Sequence, residues 1–135
     1  MDRMIKTVIA GHERLLNYSI EVMFSVAERY ESASAALEKL YGESMESFEA
    51  VRFLAVMMAN DGELCRREAG YDPEPMLTVE DVSPRMSPAE YIKLREAVAT
   101  AIYAGYRRDV SGGEDAEQDM GLAELEAKKA TTGEN

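Results

Sequence analysis

Few residues in this 135-residue chain have the type and spacing that chemistry needs. His12 is the only histidine. It has no cysteine or paired acid at ligand spacing, and Ala10-Gly11-His12 reads as a turn. A surface turn residue is therefore the stronger reading, ahead of a metal ligand or a general base. Cys65 is followed by Arg66 and Arg67, whose cations can lower a thiol pKa. A cysteine nucleophile also needs a base, and the single histidine stands far away along the chain, so a half-buried helical thiol is the default. Glu21, Glu28, Glu38, Glu46 and Glu49 fall off the apolar stripes and read as helix exteriors, with nothing favouring a glycosidase-type acid pair. Gly112-Gly113 lacks a following Lys-Ser or Lys-Thr, so no phosphate-cradling loop is indicated. No catalytic residue, cofactor-binding residue or metal ligand is assigned, no cofactor is expected, and the chain reads as a non-enzyme.

Composition narrows the partners. A 135-residue chain predicts one domain, and an apolar fraction of 46% suffices for a core. The formal net charge of -11 repels phosphates, which argues against nucleic acid and against anionic membranes. No apolar run approaches the ~20 residues of a membrane span, and no secretory signal is read at the N-terminus. A single cysteine excludes an intramolecular disulfide. These features together predict a cytoplasmic protein.

The elements that must position any site divide at about residue 108. Residues 1–108 read as a helical domain with an N-terminal hairpin, and 109–135 as a flexible acidic tail. Met4 to Ile9 alternates, with Ile5, Thr7 and Ile9 on one side, and Glu13 to Tyr18 returns as a second strand. Ser19 caps the first helix, where Ile20, Met23, Phe24 and Ala27 follow the i, i+3, i+4, i+7 pattern. Val22 and Val26 widen that stripe, which predicts contact with more than one neighbour. After a break at Glu31 to Ser34, a second helix carries Ala36, Leu37, Leu40 and Tyr41, and Gly42 ends it. Ser44 caps a third helix with Phe48, Val51, Ala55 and Met58 inward, and Asn60-Asp61-Gly62 is expected to end or kink it. Glu63 to Ala69 is helical again up to Gly70.

All four prolines fall between Tyr71 and Tyr91, which predicts extended and turn geometry with one brief helical turn after Thr78. Ser87-Pro88-Ala89-Glu90 is the strongest local signal, a capping box with proline at the first helical position. The last helix runs to about Arg108 with a stripe of Tyr91, Leu94, Val98, Ala101, Ile102 and Gly105. Ala97, Ala101 and Gly105 recur every four residues, more consistent with room for a bulky core neighbour than with a helix–helix contact seam. The fold class is thus mainly α, a bundle of about four to five helices with a short N-terminal β-hairpin.

In the tail, eight acids from Asp109 onward face only Lys128 and Lys129. Such a segment lacks the apolar surface to order itself alone. Within it, 119–129 forms a candidate short helix, with Leu122 and Leu125 three apart, acids toward the start and lysines at the end. A solvated tail is the stronger reading, ahead of a segment that orders against a partner. The nine methionines, Met57 and Met58 among them, suit core filling first and an adaptable binding surface second. Tyr18 stands at the hairpin, whose unpaired edge invites other chains. The candidates for partner contact are therefore Tyr18, Met57, Met58, Leu122 and Leu125.

Several pieces, in order, resemble the small tail assembly chaperones of long-tailed bacteriophages and prophages. They are the Arg14-Leu15-Leu16-Asn17-Tyr18-Ser19 entry, Ala36-Leu37-Glu38, the Glu49 to Asn60 helix, Leu77 to Val82, Leu94 to Gly105, and the Asp119 to Glu126 tail. The resemblance covers most of the chain. It implies a non-enzymatic role: binding the tape-measure protein, keeping it soluble, recruiting tail-tube subunits, and leaving before the virion is finished. It also implies a longer product made by frameshifting, for which Ala127-Lys128-Lys129 can be encoded by a slippery run. A structural head–tail connector or tail component, and an acidic DNA-mimic inhibitor, stand as alternatives. Homo-oligomerisation is left open.

Overall fold

The computed structural model describes residues 3–107. The tail at 109–135, with the candidate helix at 119–129, lies outside the described residues. The chain opens with β1 (Ile5–Ile9) and β2 (His12–Leu16), paired antiparallel with Ile5 opposite Leu16 and Ile9 opposite His12. Ala10 and Gly11 connect them with φ of 54° and 81°. Two consecutive left-handed residues match the natural twist of a hairpin. The inner face carries Ile9 and Leu16, both buried, and also Arg14.

Four helices follow: α1 (Ile20–Tyr30), α2 (Ala33–Leu40), α3 (Met45–Glu68) and α4 (Pro88–Gly105). The expected mainly helical fold with an N-terminal hairpin is what the structure shows. Each helix starts on a serine whose hydroxyl accepts a backbone N–H: Ser19 from Val22, Ser32 from Ala35, Ser44 from Ser47 and Ser87 from Glu90. Glu31 stops α1 in a left-handed conformation, φ 79°, and its N–H donates to the Ala27 carbonyl at 2.9 Å. At α4 the box is complete, because the Glu90 carboxylate also accepts from the Ser87 N–H at 3.0 Å. Ser87→Ala is expected to cost about 1 kcal/mol, read as a lower denaturation midpoint with an unchanged m-value.

β2 packs on α3, β1 on α4, and α2 on α1 and α3. The core between them includes Leu16, Val26, Leu40, Leu54, Met58 and Ile102, all essentially inaccessible. Two elements differ from the sequence expectation. First, α3 runs unbroken through Asn60-Asp61-Gly62 to Glu68. Gly62 is buried there because the end of β2 crosses it. A Cβ on Gly62 would fall on the Leu15 carbonyl oxygen and within 2.8 Å of its carbon. The Asn17 N–H donates to the Met58 carbonyl at 3.1 Å one turn earlier. The glycine permits a backbone crossing and leaves the helix intact.

Second, α1 buries the other side of its stripe. Val22 and Val26 are the buried residues, while Ile20 is 69% and Phe24 61% exposed, and Ala27 is exposed with them. Ile20, Phe24 and Ala27 do not hold the fold. Four-residue spacing is satisfied equally by Val22–Val26 and by Ile20–Phe24, about 160° apart around the helix. Contact with α2 and α3 selects the valine pair.

The proline-rich segment from Tyr71 to Ser87 has no α-helix or strand; it holds the 3₁₀ turn Val79–Asp81, where the Asp81 carboxylate accepts from the Thr78 N–H at 2.8 Å, and a turn at Pro84-Arg85 closed by the Met86 N–H on the Ser83 carbonyl at 3.2 Å. α3 side chains hold it. The Asn60 amide brackets Leu77, donating to its carbonyl at 3.0 Å and accepting from its N–H at 2.8 Å. The Arg52 guanidinium donates to the Val79 carbonyl at 2.7 Å. At the far end of α4, Gly105 lies against Tyr18, whose Cδ2 would be 2.6 Å from an added Cβ. The small residue there makes room for a bulky core neighbour, as expected.

Candidate partner-binding surface

One polar cluster among the described residues centres on Glu63. The Glu63 carboxylate is 3% exposed and accepts from the Glu74 N–H at 2.8 Å, Arg67 Nε at 2.9 Å and Arg66 Nη1 at 2.6 Å. Burial alone would raise this carboxyl. The Glu74 N–H and the two guanidiniums outweigh burial and hold it at about 2. Arg67 also donates to the Glu74 carbonyl at 2.7 Å, and Arg14 of the hairpin donates to the Pro75 carbonyl at 3.1 Å. The cluster ties α3, the hairpin and the proline-rich segment together, and every oxygen of Glu63 is engaged.

The two arginines after Cys65 are thus turned to Glu63. Burial raises the Cys65 thiol, with Asp61 and Glu68 adding to the effect, which opposes nucleophilic activation. Cys65 is half-buried and accepts a long contact from Asn17 Nδ2 at 3.5 Å. His12 is exposed at the start of β2. Among the described residues, no three His, Cys, Asp or Glu side chains gather to hold a metal ion. No helix among them is long and apolar enough to cross a membrane.

Two of the expected partner contacts belong to the core. Tyr18 is buried between the hairpin and the end of α4, its ring 5.6 Å from that of Tyr106. Burial, then Tyr106, raises its phenol well above the ordinary value. Met58 is fully buried in α3. Both are corrected from surface candidates to packing residues, because β2 turns inward at Asn17 and draws Tyr18 under α4. Met57 is half-buried against the core. Leu122 and Leu125 lie outside the described residues.

An exposed apolar surface lies elsewhere, in a groove of about 500 Å³ at one end of the bundle. Met45 and Phe48 come from the first turns of α3, Met86 from the end of the proline-rich segment, and Tyr91, Ile92 and Arg95 from α4. Met45 is 65% and Ile92 47% exposed. The rings of Phe48 and Tyr91 form its floor at 6.0 Å, with the Arg52 guanidinium 5.0 Å from Phe48. The capping box at Ser87 aims the first turn of α4, and the Arg52 and Asn60 bonds anchor the proline-rich segment at Leu77 and Val79, upstream of Met86. A rigid aromatic floor with two unbranched thioether side chains suits an apolar segment of variable sequence. The sequence carried a signal for this groove. Met45 and Ile92 are large apolar residues standing off the inward stripes of their helices.

Comparison with protein-family models, with curated proteins and with solved structures finds no match.

Proposed function

We propose that this chain is a non-enzymatic assembly chaperone of the long-tailed phage type, which holds an apolar helical segment of a tape-measure protein in the Met45–Phe48–Met86–Tyr91–Ile92 groove. The observation that carries the reading is the groove itself: exposed methionine and isoleucine over an aromatic floor. The motif order along the chain supplies the partner class. The acidic surface keeps the complex soluble while the groove shields an aggregation-prone helix. The same reading includes recruitment of tail-tube subunits, a cytoplasmic site of action in the bacterial host and absence from the finished virion.

Co-expression with the tape-measure protein encoded beside it tests this directly. The partner is expected to stay in the soluble fraction and to co-purify. The double variant Met45→Asp/Ile92→Asp is expected to weaken the complex by roughly thirtyfold or more, the loss typical of a central interface contact, with an unchanged circular dichroism spectrum. A tape-measure protein that remains insoluble and unbound beside the wild-type chain rejects the proposal. Recovery of the chain from purified virions favours a structural connector instead.

A further inference from the structure

Among the described residues the sheet has two strands, so each strand has one edge without a strand beside it. Ala10 and Gly11 form a two-residue turn, which makes Ile9 and His12 a hydrogen-bonded pair. Bonded and non-bonded pairs alternate from there along an antiparallel ladder. Thr7 with Arg14 and Ile5 with Leu16 are then bonded pairs, and the N–H and C=O of Lys6 and Val8 point away from β2. The opposite strand verifies this parity. Leu15, across from Lys6, turns its carbonyl away from β1 and onto Gly62. β2 therefore lays its outer edge against α3. The outward groups of Lys6 and Val8 on β1 meet no other backbone group among the described residues.

A trench of about 590 Å³ opens beside this free edge, walled by Glu90, Lys93, Leu94 and Ala97 of α4. Its acids are held in caps. The Asp81 carboxylate accepts from the Thr78 N–H at 2.8 Å, and that of Glu90 from the Ser87 N–H at 3.0 Å. Its cations are not held. Lys6 and Lys93 are exposed and form no ion pair among the described residues. Val8, on the same outer face as Lys6, is 59% exposed. On a chain of net charge -11, two ammonium groups without counter-ions thus stand beside open main-chain donors and acceptors.

We infer that β1 is a docking strand for an extended acidic segment of another protein, which adds to the sheet beside Lys6 and Val8. Backbone pairing supplies affinity and register. Side chains supply the choice of partner. Alternate residues of a strand share a face, so an antiparallel newcomer sets one side chain beside Val8 and another, two residues on, beside Lys6. The first is apolar and the second acidic. Acids turned toward the α4 wall meet Lys93. A second copy of β1 is the poorer occupant, because it brings Lys6 and Lys93 toward the same lysines of its twin. The trench shares Met86 with the Met45–Ile92 groove and does not depend on what that groove holds.

Titration of full-length, isotope-enriched protein with a short peptide alternating valine and glutamate tests this. The amide signals of Lys6 and Val8 are expected to shift and their hydrogen exchange to slow, while the signals of Met45 and Ile92 stay in place. A peptide with lysine for glutamate, and a glutamate peptide N-methylated at the edge-facing amides, are each expected to bind roughly tenfold more weakly. Lys6→Glu/Lys93→Glu is expected to weaken the glutamate peptide by a similar factor with an unchanged circular dichroism spectrum. Undiminished binding of the N-methylated peptide overturns the inference, since strand pairing is then not the mode. Undiminished binding of the lysine peptide overturns it as well, since the lysines then select nothing. Shifts that fall only on the Met45–Ile92 groove, or no shifts at all, also overturn it. Slow exchange at Lys6 and Val8 before peptide is added overturns it and assigns the edge to the chain itself or to a second copy.

Discussion

Gly62→Ala is expected to destabilise this protein by about 3 kcal/mol, at the upper end of what overpacking costs. In an ordinary exposed helix the same change would stabilise by up to about 1 kcal/mol, because alanine is the better helix former. The sign therefore discriminates. A methyl at position 62 meets the backbone of Leu15, with the carbonyl carbon 2.8 Å away. Neither side yields cheaply. The α3 backbone is fixed by its own ladder, and β2 is fixed by its pairing with β1 and by the Asn17 bond to Met58. Relief requires β2 to lift from α3, which uncovers Leu16 and Met58, both now inaccessible. Urea unfolding monitored by circular dichroism measures the effect. A midpoint equal to or above that of the wild type would mean that β2 does not cross α3 here.

The second large effect is at Glu63. Glu63→Ala leaves Arg66 and the Glu74 N–H facing an empty buried position, and a loss of about 3–5 kcal/mol is expected, the range for breaking a buried ion pair. The proline-rich segment and Arg14 lose their common anchor in the same step. The wild type carries an acid dependence from this residue. Its folded carboxyl lies at about 2 against an ordinary value of 4.5, so it is depressed. A depressed group contributes stability above its unfolded value, and that contribution falls away as pH drops through the folded value. The window is about pH 4.5 down to pH 2, and the contribution at neutral pH is on the order of 3 kcal/mol. Glu63→Gln keeps the shape and removes the titration. Unfolding free energies of wild type and Glu63→Gln, measured across that window, are expected to converge as the pH falls. A constant gap between them would show that Glu63 acts through packing and not through its charge.

Much of the local structure was legible along the chain. Each serine expected to start a helix does so, because a hydroxyl that caps a backbone N–H acts over three residues and needs no distant partner. The break at Glu31, the proline segment without α-helix or strand, the turn after Thr78 and the capping box at Ser87 follow from the same short range. The small residue at Gly105 was also legible as room for a neighbour, although not which neighbour. The partner surface was harder. Tyr18 beside an unpaired strand edge looked exposed, and a crossing with α4, far along the chain, buries it. Met45 and Ile92 stood off their stripes, but an off-stripe residue is solvent-facing whether or not a groove forms beneath it.

The amino-acid order alone determined where α1, α3 and α4 begin, because a serine cap and a proline at the first helical position act within a few residues. Tertiary packing decided which side of α1 turns inward, that Gly62 serves a crossing, and that Glu63 stays ionised while buried. The reason is common to all three. Spacing says which side chains share a face, but only contact with α2 and α3 ranks Val22–Val26 above Ile20–Phe24. Likewise Gly62 meets Leu15 and Glu63 meets Glu74 only once segments distant in sequence are brought together.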